Sequence, residues 1–356
     1  MQDKKWPVLL VVAGGVTGIL AVLLTVFGNP ANMGVCVACF IRDTAGALGL
    51  HGAATVQYIR PEIPGFIAGA FILSLARREF KPSGGSAPLL RFFISLFVII
   101  GALVFLGCPL RMVLRLAGGD LNALVGLAGF VAGIALGSVM LKQGFSLGRA
   151  YEQPRVSGFV MPTFAAVLLL FLLVRPAFIR FSETGPGSMH APVLLALTAG
   201  LVIGGFAQTS RMCMAGGFRD MILIKNPSML LVYGAVFVAA LIGNLLTGRV
   251  HAGFEGQPIA HTNFVWNFLG MALAGYGSTL LGGCPLRQSI MAGEGNADGA
   301  VCVLGLLVGA AISHNFGLAA SPSGVPLNGQ IAVVIGFAAL TCIALFNIGQ
   351  KAVVKA

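Results

Sequence analysis

Long apolar runs alternate with short segments rich in Gly, Pro and charged residues along the whole chain. A helix that crosses a bilayer needs about 20 predominantly apolar residues, with ~17–25 as the usual range. Ten runs approach or reach that length, near residues 8–27, 62–76, 89–106, 121–141, 159–179, 191–207, 228–247, 264–282, 299–317 and 329–349. The second run is short, and we interpret it as a tilted or partial span. The pattern predicts an all-α polytopic membrane protein with about ten transmembrane spans.

The composition favours a surface that faces lipid. Of the 356 residues, 57% are apolar and 9% are charged, whereas a soluble domain carries about 25% charged residues. Too few polar groups are present to cover a surface in water, so we expect the lipid bilayer to surround most of the protein. The first apolar run is long enough to span, and no small-residue cleavage site follows it. We therefore interpret it as an uncleaved helix and not as a signal peptide.

The net charge of +11 comes from 22 Lys and Arg against 11 Asp and Glu. No basic stripe or nucleic-acid motif accompanies this charge, so we expect no nucleic-acid partner. In a membrane protein, Lys and Arg mark the cytoplasmic loops. With alternating loops, the side that holds both termini carries about twice as many Lys and Arg as the other. This predicts a multi-pass protein of the cell inner membrane with both termini in the cytoplasm. The chain lacks a Gly-Lys-Ser/Thr phosphate loop, which excludes an ATP-driven pump.

Two cysteine motifs each occur twice. Cys36 and Cys213 are both followed, six residues later, by an Arg-Asp pair. The sequence Gly-Cys-Pro-Leu-Arg occurs at residues 107–111 and again at 283–287. The two motif cysteines lie 72 residues apart in the first half and 71 apart in the second. This duplication predicts one integral membrane domain made of a first repeat, residues 1–180, and a second repeat, residues 181–356.

Five spans per repeat is an odd number, so the second repeat must enter the membrane inverted. Inverted repeats are the plan of many transporters, whose sites lie near the bilayer midplane between the halves. The motif segments would then enter from opposite faces, two from each. Broken backbone at membrane depth is tolerated only where protein or a water-lined cavity surrounds it. We expect re-entrant Cys-bearing loops that meet at the midplane.

The Gly-Cys-Pro-Leu-Arg motifs have the chemistry of an anion site. Pro is favoured at the first position of a helix, which would place Cys108 and Cys284 at helix N-caps. Unpaired backbone N–H groups there bind anions and favour the thiolate. Arg111 and Arg287 follow in the first turn and add positive charge. A soft sulfur beside a positive field suits an anion that carries polarisable S or Se. The alternative is that a small apolar Cys packs beside a helix break.

The other motif charges have two interpretations. Charged residues at membrane depth usually pair or face a cavity. Arg42 with Asp43, and Arg219 with Asp220, could therefore hold their loops in shape, or the arginines could remain partly free to attract anions.

Other side chains are weaker candidates. Cys39 completes a Cys-x-x-Cys with Cys36, a pattern of redox or metal chemistry, but Gly216 stands at the equivalent place in the second repeat. The five histidines lack metal-ligand spacing, and we expect neither a metal nor a cofactor. Small-xxx-small glycine strips follow each Gly-Cys-Pro-Leu-Arg motif and are expected to pack helices closely; they contain Gly129, Gly133 and Gly137, and Gly305 and Gly309.

At these duplicated motifs, the sequence resembles the YeeE/YedE family of sulfur-transport membrane proteins. The paired Gly-Cys-Pro-Leu-Arg form is most similar to the YedE branch linked with selenium metabolism. The resemblance covers nearly the whole chain. It implies an hourglass-like helical protein, with cysteine-bearing loops near a central constriction where thiols pass the ion by S–H···S contacts. Cys213, Cys284 and Cys108 match the expected positions. Cys36 is the symmetric fourth, although its loop lacks the Gly-Gly. The family also implies a cytoplasmic SirA/TusA-like sulfur-carrier protein as partner.

The function favoured by the sequence is uptake of a small sulfur- or selenium-containing species. An oxyanion such as thiosulfate or a selenium analogue would be attracted by Arg42 and Arg111 and passed along central cysteines. The expected substrate-binding and relay residues are Cys36, Cys108, Cys213, Cys284, Arg42, Arg111, Arg219 and Arg287, with Cys39, Asp43 and Asp220 as possible additions. The chain is therefore not expected to be an enzyme. Two alternatives remain open, a membrane thiol-redox or sulfurtransferase-type enzyme and a passive anion channel with structural cysteines.

Overall fold

The computed structural model describes residues 5–355, and the side chains of residues 6–348. The predicted cytoplasmic termini at residues 1–4 and 356 lie outside the described residues. The described chain forms α1 (Lys5–Val26), α2 (Val37–Ala47), α3 (Glu62–Ala76), α4 (Pro88–Phe105), α5 (Pro109–Ala117), α6 (Asn122–Lys142), α7 (Arg155–Val174), α8 (Val193–Ser210), α9 (Met214–Ile224), α10 (Leu230–Leu246), α11 (Phe264–Leu280), α12 (Pro285–Gly293), α13 (Ala297–Asn315) and α14 (Leu327–Lys355). Two-residue strands, β1 (Ser83–Gly84) and β2 (Tyr151–Glu152), pair antiparallel between two loops.

Each of the ten predicted apolar runs forms a helix. Eight stretches in the described chain are helical, long and apolar enough to cross a membrane. The other two apolar helices, α3 and α10, are shorter, with 15 and 17 residues. Large apolar side chains are exposed on the outer helices, including Leu173 at 71% and Leu246 at 83%. Because such surface is stable only in lipid, the protein is an all-α polytopic membrane protein.

Four short helices interrupt the series of long ones. α2 and α9 have 11 residues each, and α5 and α12 have nine each. We expected re-entrant Cys-bearing segments here, with a helix beginning after Cys108 and after Cys284; the structure has those two helices and also a helix after Cys36 and after Cys213. At about 1.5 Å per residue they reach at most about half of a ~30 Å hydrocarbon core. Each begins directly after a motif cysteine, so its N-terminal N–H groups surround that cysteine.

Helices from the first half pack mainly against helices from the second half. α6 packs along α11 and α4 along α13, while α1 packs along α10 and α3 along α8. Each of these contacts therefore has a counterpart in which the equivalent helices come from the opposite halves: α6–α11 corresponds to α13–α4, and α1–α10 corresponds to α8–α3. The glycine strips lie at these interfaces, as predicted. Gly129 and Gly133 contact the backbone of α11, and Gly305 and Gly309 contact that of α4.

The most buried part of the protein is the region between these helix pairs. It contains all five motif cysteines, at exposures of 0–8%. The fold therefore places the N-terminal ends of α2, α5, α9 and α12 in the packed interior of the protein.

Candidate functional site

In the first half, the N-termini of α2 and α5 meet at two thiols. Cys36 is the N-cap of α2, and its Sγ accepts a hydrogen bond from the Cys39 N–H at 3.3 Å. Cys108 is the N-cap of α5, directly before Pro109. The two thiols are neighbours, close enough to interact with each other. We call this pair the first-half site.

The second half repeats the arrangement at the N-termini of α9 and α12. The Cys213 Sγ accepts from the Gly216 N–H at 3.2 Å, and Cys284 is the N-cap of α12. These thiols too are neighbours, close enough to interact with each other. We call this pair the second-half site.

Each site therefore combines two helix N-termini with two soft sulfur atoms. A helix N-terminus is equivalent to roughly half a positive charge, and its free N–H groups bind anions. Two of them aimed at one point create a positive field without a side-chain charge. The prediction of N-cap cysteines at Cys108 and Cys284 is confirmed. Sequence reasoning missed that Cys36 and Cys213 have the same role, because no proline follows them.

Cys39 distinguishes the two sites. Its backbone N–H donates to the Cys36 Sγ at 3.3 Å, and its own Sγ accepts from Arg111 Nη1 at 3.5 Å. In the second half Gly216 occupies this position, and a Cβ there would lie 3.4 Å from the Cys213 Sγ. The first-half site is therefore a cluster of three thiols, and the second-half site has two.

Arg42 lies in a buried ion network that the sequence indicated only in part. Asp43 pairs with Arg42 at 2.7 Å, as one of the two interpretations proposed, and also with Arg60 at 2.8 Å. Arg60 donates further to the backbone oxygens of Met189 and Pro186, in the segment that joins the two halves. Arg60 belongs to none of the motifs found in the sequence. Its role depends on its contact with Asp43, 17 residues earlier in the chain.

Arg111 is fully buried beside the first-half thiols. Its guanidinium donates to the backbone oxygens of Asn32 at 3.1 Å and Ile259 at 3.3 Å, and also to Leu106. Among the described residues no carboxylate forms an ion pair with it. Carbonyl groups orient the guanidinium but do not cancel its charge, so Arg111 keeps a positive charge next to Cys39.

A cavity of about 550 Å³ opens onto the second-half site. Cys213 lies in its wall at 8% exposure, whereas Cys36, Cys39 and Cys108 are 0–1% exposed. The cavity is lined by Trp6, Arg211, Cys213, Gly216, Arg219, Asp220, Asn226, Ser228, Met229, Gly282 and Arg287. The two sites therefore differ in access, since Cys213 of the second-half site lines this cavity and the first-half thiols do not.

The arginines of this cavity are all paired with carboxylates. Arg219 lies 2.8 Å from Asp220, and its side chain is 27% exposed. Arg287 and Arg211 both contact Glu294 at 3.1 Å. Ion pairs that are partly exposed, such as those of Arg211 and Arg219, are weak, and all three guanidinium groups line the cavity, where they can contact an anion.

The part of the chain that the structure describes contains no group of three or more His, Cys, Asp and Glu arranged to hold a metal ion.

Comparison with known proteins gives two matches. Residues 209–355 match the family model described as Sulphur transport, a stretch that contains the whole second-half site. The thiosulfate transporter TsuA of Escherichia coli (strain K12) is 31% identical over 111 residues. That alignment covers 30% of this chain and spans only 30% of the length of the curated relative. These matches agree with the resemblance to sulfur-transport membrane proteins that the motifs indicated; the family model covers residues 209–355, and the selenium-linked branch and the extension over nearly the whole chain stay predictions.

Proposed function

We propose that this chain, a relative of the sulphur-transport proteins, is a membrane transporter that takes up a small sulfur-containing anion such as thiosulfate. The observation that carries the proposal is the occurrence of two thiol pairs, each held where two helix N-termini converge. The name of the matched relative, a thiosulfate transporter, supports the same substrate class.

The chemistry of each site suits such an ion. Thiosulfate has oxygens that accept from backbone N–H groups, and a terminal sulfur that accepts from S–H donors. A selenium analogue would present an equally soft atom to the same thiols, so we include it among the substrates. Because each contact is weak and is repeated along the path, the ion can leave a site as easily as it enters.

The path that we propose uses both sites in series. Arg111 attracts the anion to Cys36 and Cys108, since Arg42 is held in an ion pair with Asp43. The ion then passes to Cys284 and Cys213 and enters the cavity. There the arginines at positions 211, 219 and 287 receive it.

The topology that fits this path is the one predicted from the sequence. Ten spans in two inverted repeats would place the first-half site toward the outside of the inner membrane. The cavity beside Cys213 would then face the cytoplasm, with both termini on that side. A cytoplasmic SirA/TusA-like sulfur-carrier protein could accept sulfur at this mouth, and the protein itself would perform no covalent chemistry.

The test is uptake of labelled thiosulfate and selenite into proteoliposomes. We expect wild-type protein to transport at least one of these ions, and Cys108→Ala and Cys284→Ala to reduce the rate at least tenfold. Cys302→Ala is the matched control, because Cys302 is equally buried but lies within α13, outside both sites. It should transport at the wild-type rate.

Two results would contradict the proposal. Wild-type flux that survives both site substitutions would indicate a passive channel with structural cysteines. Absence of flux, together with a trapped disulfide or persulfide on a site cysteine, would indicate a membrane thiol enzyme.

A further inference from the structure

Tyr233 carries a buried hydroxyl group that the fold leaves without a partner. The residue lies in the first turn of α10 and is 7% exposed. Its hydroxyl has no hydrogen-bond partner among the residues whose side chains are described. A buried polar group without a partner is unfavourable to folding, so a phenylalanine would be expected here if packing alone determined the residue.

The ring itself is well packed. It meets Phe218 of α9 edge to face, with ring centroids 5.5 Å apart, and Phe218 meets Phe130 of α6 in the same way at 6.4 Å. These contacts fix the ring through its apolar edges and leave the hydroxyl uninvolved. The position of the hydroxyl is therefore set by the scaffold before any ligand arrives.

The hydroxyl is carried by a helix that contacts an element of each thiol site. α10 packs against α5, which begins at Cys108 of the first-half site, and against α9, which begins at Cys213 of the second-half site. The Tyr233 ring itself meets Phe218 of α9. A path from one site to the other therefore runs alongside the helix that carries this hydroxyl.

We propose that the Tyr233 hydroxyl is a third substrate subsite, which donates a hydrogen bond to an oxygen of the anion between the two thiol pairs. The inference rests on the proposed function and adds a residue to its path. The thiols contact the soft sulfur end, and the hydroxyl contacts an oxygen of the same ion. A hydrogen bond to a charged group is stronger than one between neutral groups. The subsite therefore stabilises the ion on the part of its path that lies away from both pairs of helix N-termini.

The experiment compares Tyr233→Phe with wild-type protein in thiosulfate uptake, measured as initial rate against concentration in proteoliposomes. The substitution removes only the hydroxyl and keeps the ring. We expect the maximal rate to fall about tenfold, as for the loss of one hydrogen bond to a charged group. The half-saturating concentration should stay within about twofold, because the entry site is intact. The midpoint of thermal unfolding should be no lower than in wild type.

Tyr276→Phe is the matched control. Tyr276 is also fully buried, but it lies on α11 with its ring stacked on Phe337. This variant should transport at the wild-type rate.

Three outcomes would overturn the inference. Transport by Tyr233→Phe at the wild-type rate would refute the subsite and leave the proposed function intact. A reduced rate accompanied by a lowered unfolding midpoint would assign the hydroxyl a structural role. If wild-type protein and Tyr276→Phe also fail to transport, the proposed function fails and the subsite fails with it.

Discussion

Asp43 and Asp220 occupy the same place in a repeated motif, yet their surroundings differ. Asp43 is fully buried and bridges two guanidinium groups, Arg42 and Arg60. Asp220 is 28% exposed and pairs with Arg219 alone. The difference comes from Arg60, which has no counterpart in the second repeat. At the residue scale, the same residue type at equivalent positions of the motif therefore contributes differently to the free energy of unfolding.

Asp43→Asn should be strongly destabilising. It leaves two buried positive charges without a counter-charge, and the loss of one partner from a buried pair costs about 3–5 kcal/mol. Asp220→Asn, the matched substitution at an exposed pair, should cost about 1 kcal/mol or less. Thermal unfolding of the purified protein in detergent measures both. Equal shifts of the two midpoints would contradict the argument.

At the element scale, the contacts between long helices depend on positions without a side chain. A Cβ added at Gly133 of α6 would overlap the carbonyl oxygen of Ala272 in α11. Gly129, one turn earlier, faces Phe268 in the same way. Close approach of this kind replaces the hydrophobic effect as a source of helix association in lipid.

Gly133→Ala should force α6 and α11 apart and destabilise the protein by about 1–3 kcal/mol, as for overpacking of a close interface. Gly15→Ala in α1 is the control, because a Cβ there meets no atom within 4 Å among the described residues. Its unfolding midpoint should be unchanged or higher, since alanine favours a helix over glycine. If the glycines only made the chain flexible, Gly133→Ala and Gly15→Ala would have the same effect on the unfolding midpoint.

At the scale of the whole molecule, two chemically similar sites stand in series and only one adjoins the large cavity. Cys213 lines that cavity, while the first-half thiols are enclosed by packed helices. A path that is closed on one side while open on the other is what alternating access requires.

An impermeant thiol reagent tests this asymmetry in a variant with Cys342→Ser, which removes the exposed cysteine of α14. In inverted vesicles, where the cytoplasmic face is accessible, we expect the reagent to modify Cys213 rapidly. A further Cys213→Ser substitution should abolish this rapid modification. Cys108 should react slowly from that side because it is 1% exposed. Modification of Cys213 only in right-side-out vesicles would reverse the proposed orientation.

The sequence by itself determined the elements and the local geometry of the motifs. Ten apolar runs became ten helices, and Cys followed by Pro became a helix N-cap, because both depend on interactions within a few residues. The duplicated motifs also identified the four relay cysteines as candidates. The tertiary structure decided which thiols meet, since Cys36 and Cys108 are 72 residues apart and come together only in the folded chain. It also decided that Arg60 joins the Arg42–Asp43 pair, that Cys213 adjoins a cavity, and that the Tyr233 hydroxyl is buried without a partner among the described side chains. These features depend on contacts between distant segments and on burial, and neither property is encoded at a fixed spacing along the chain.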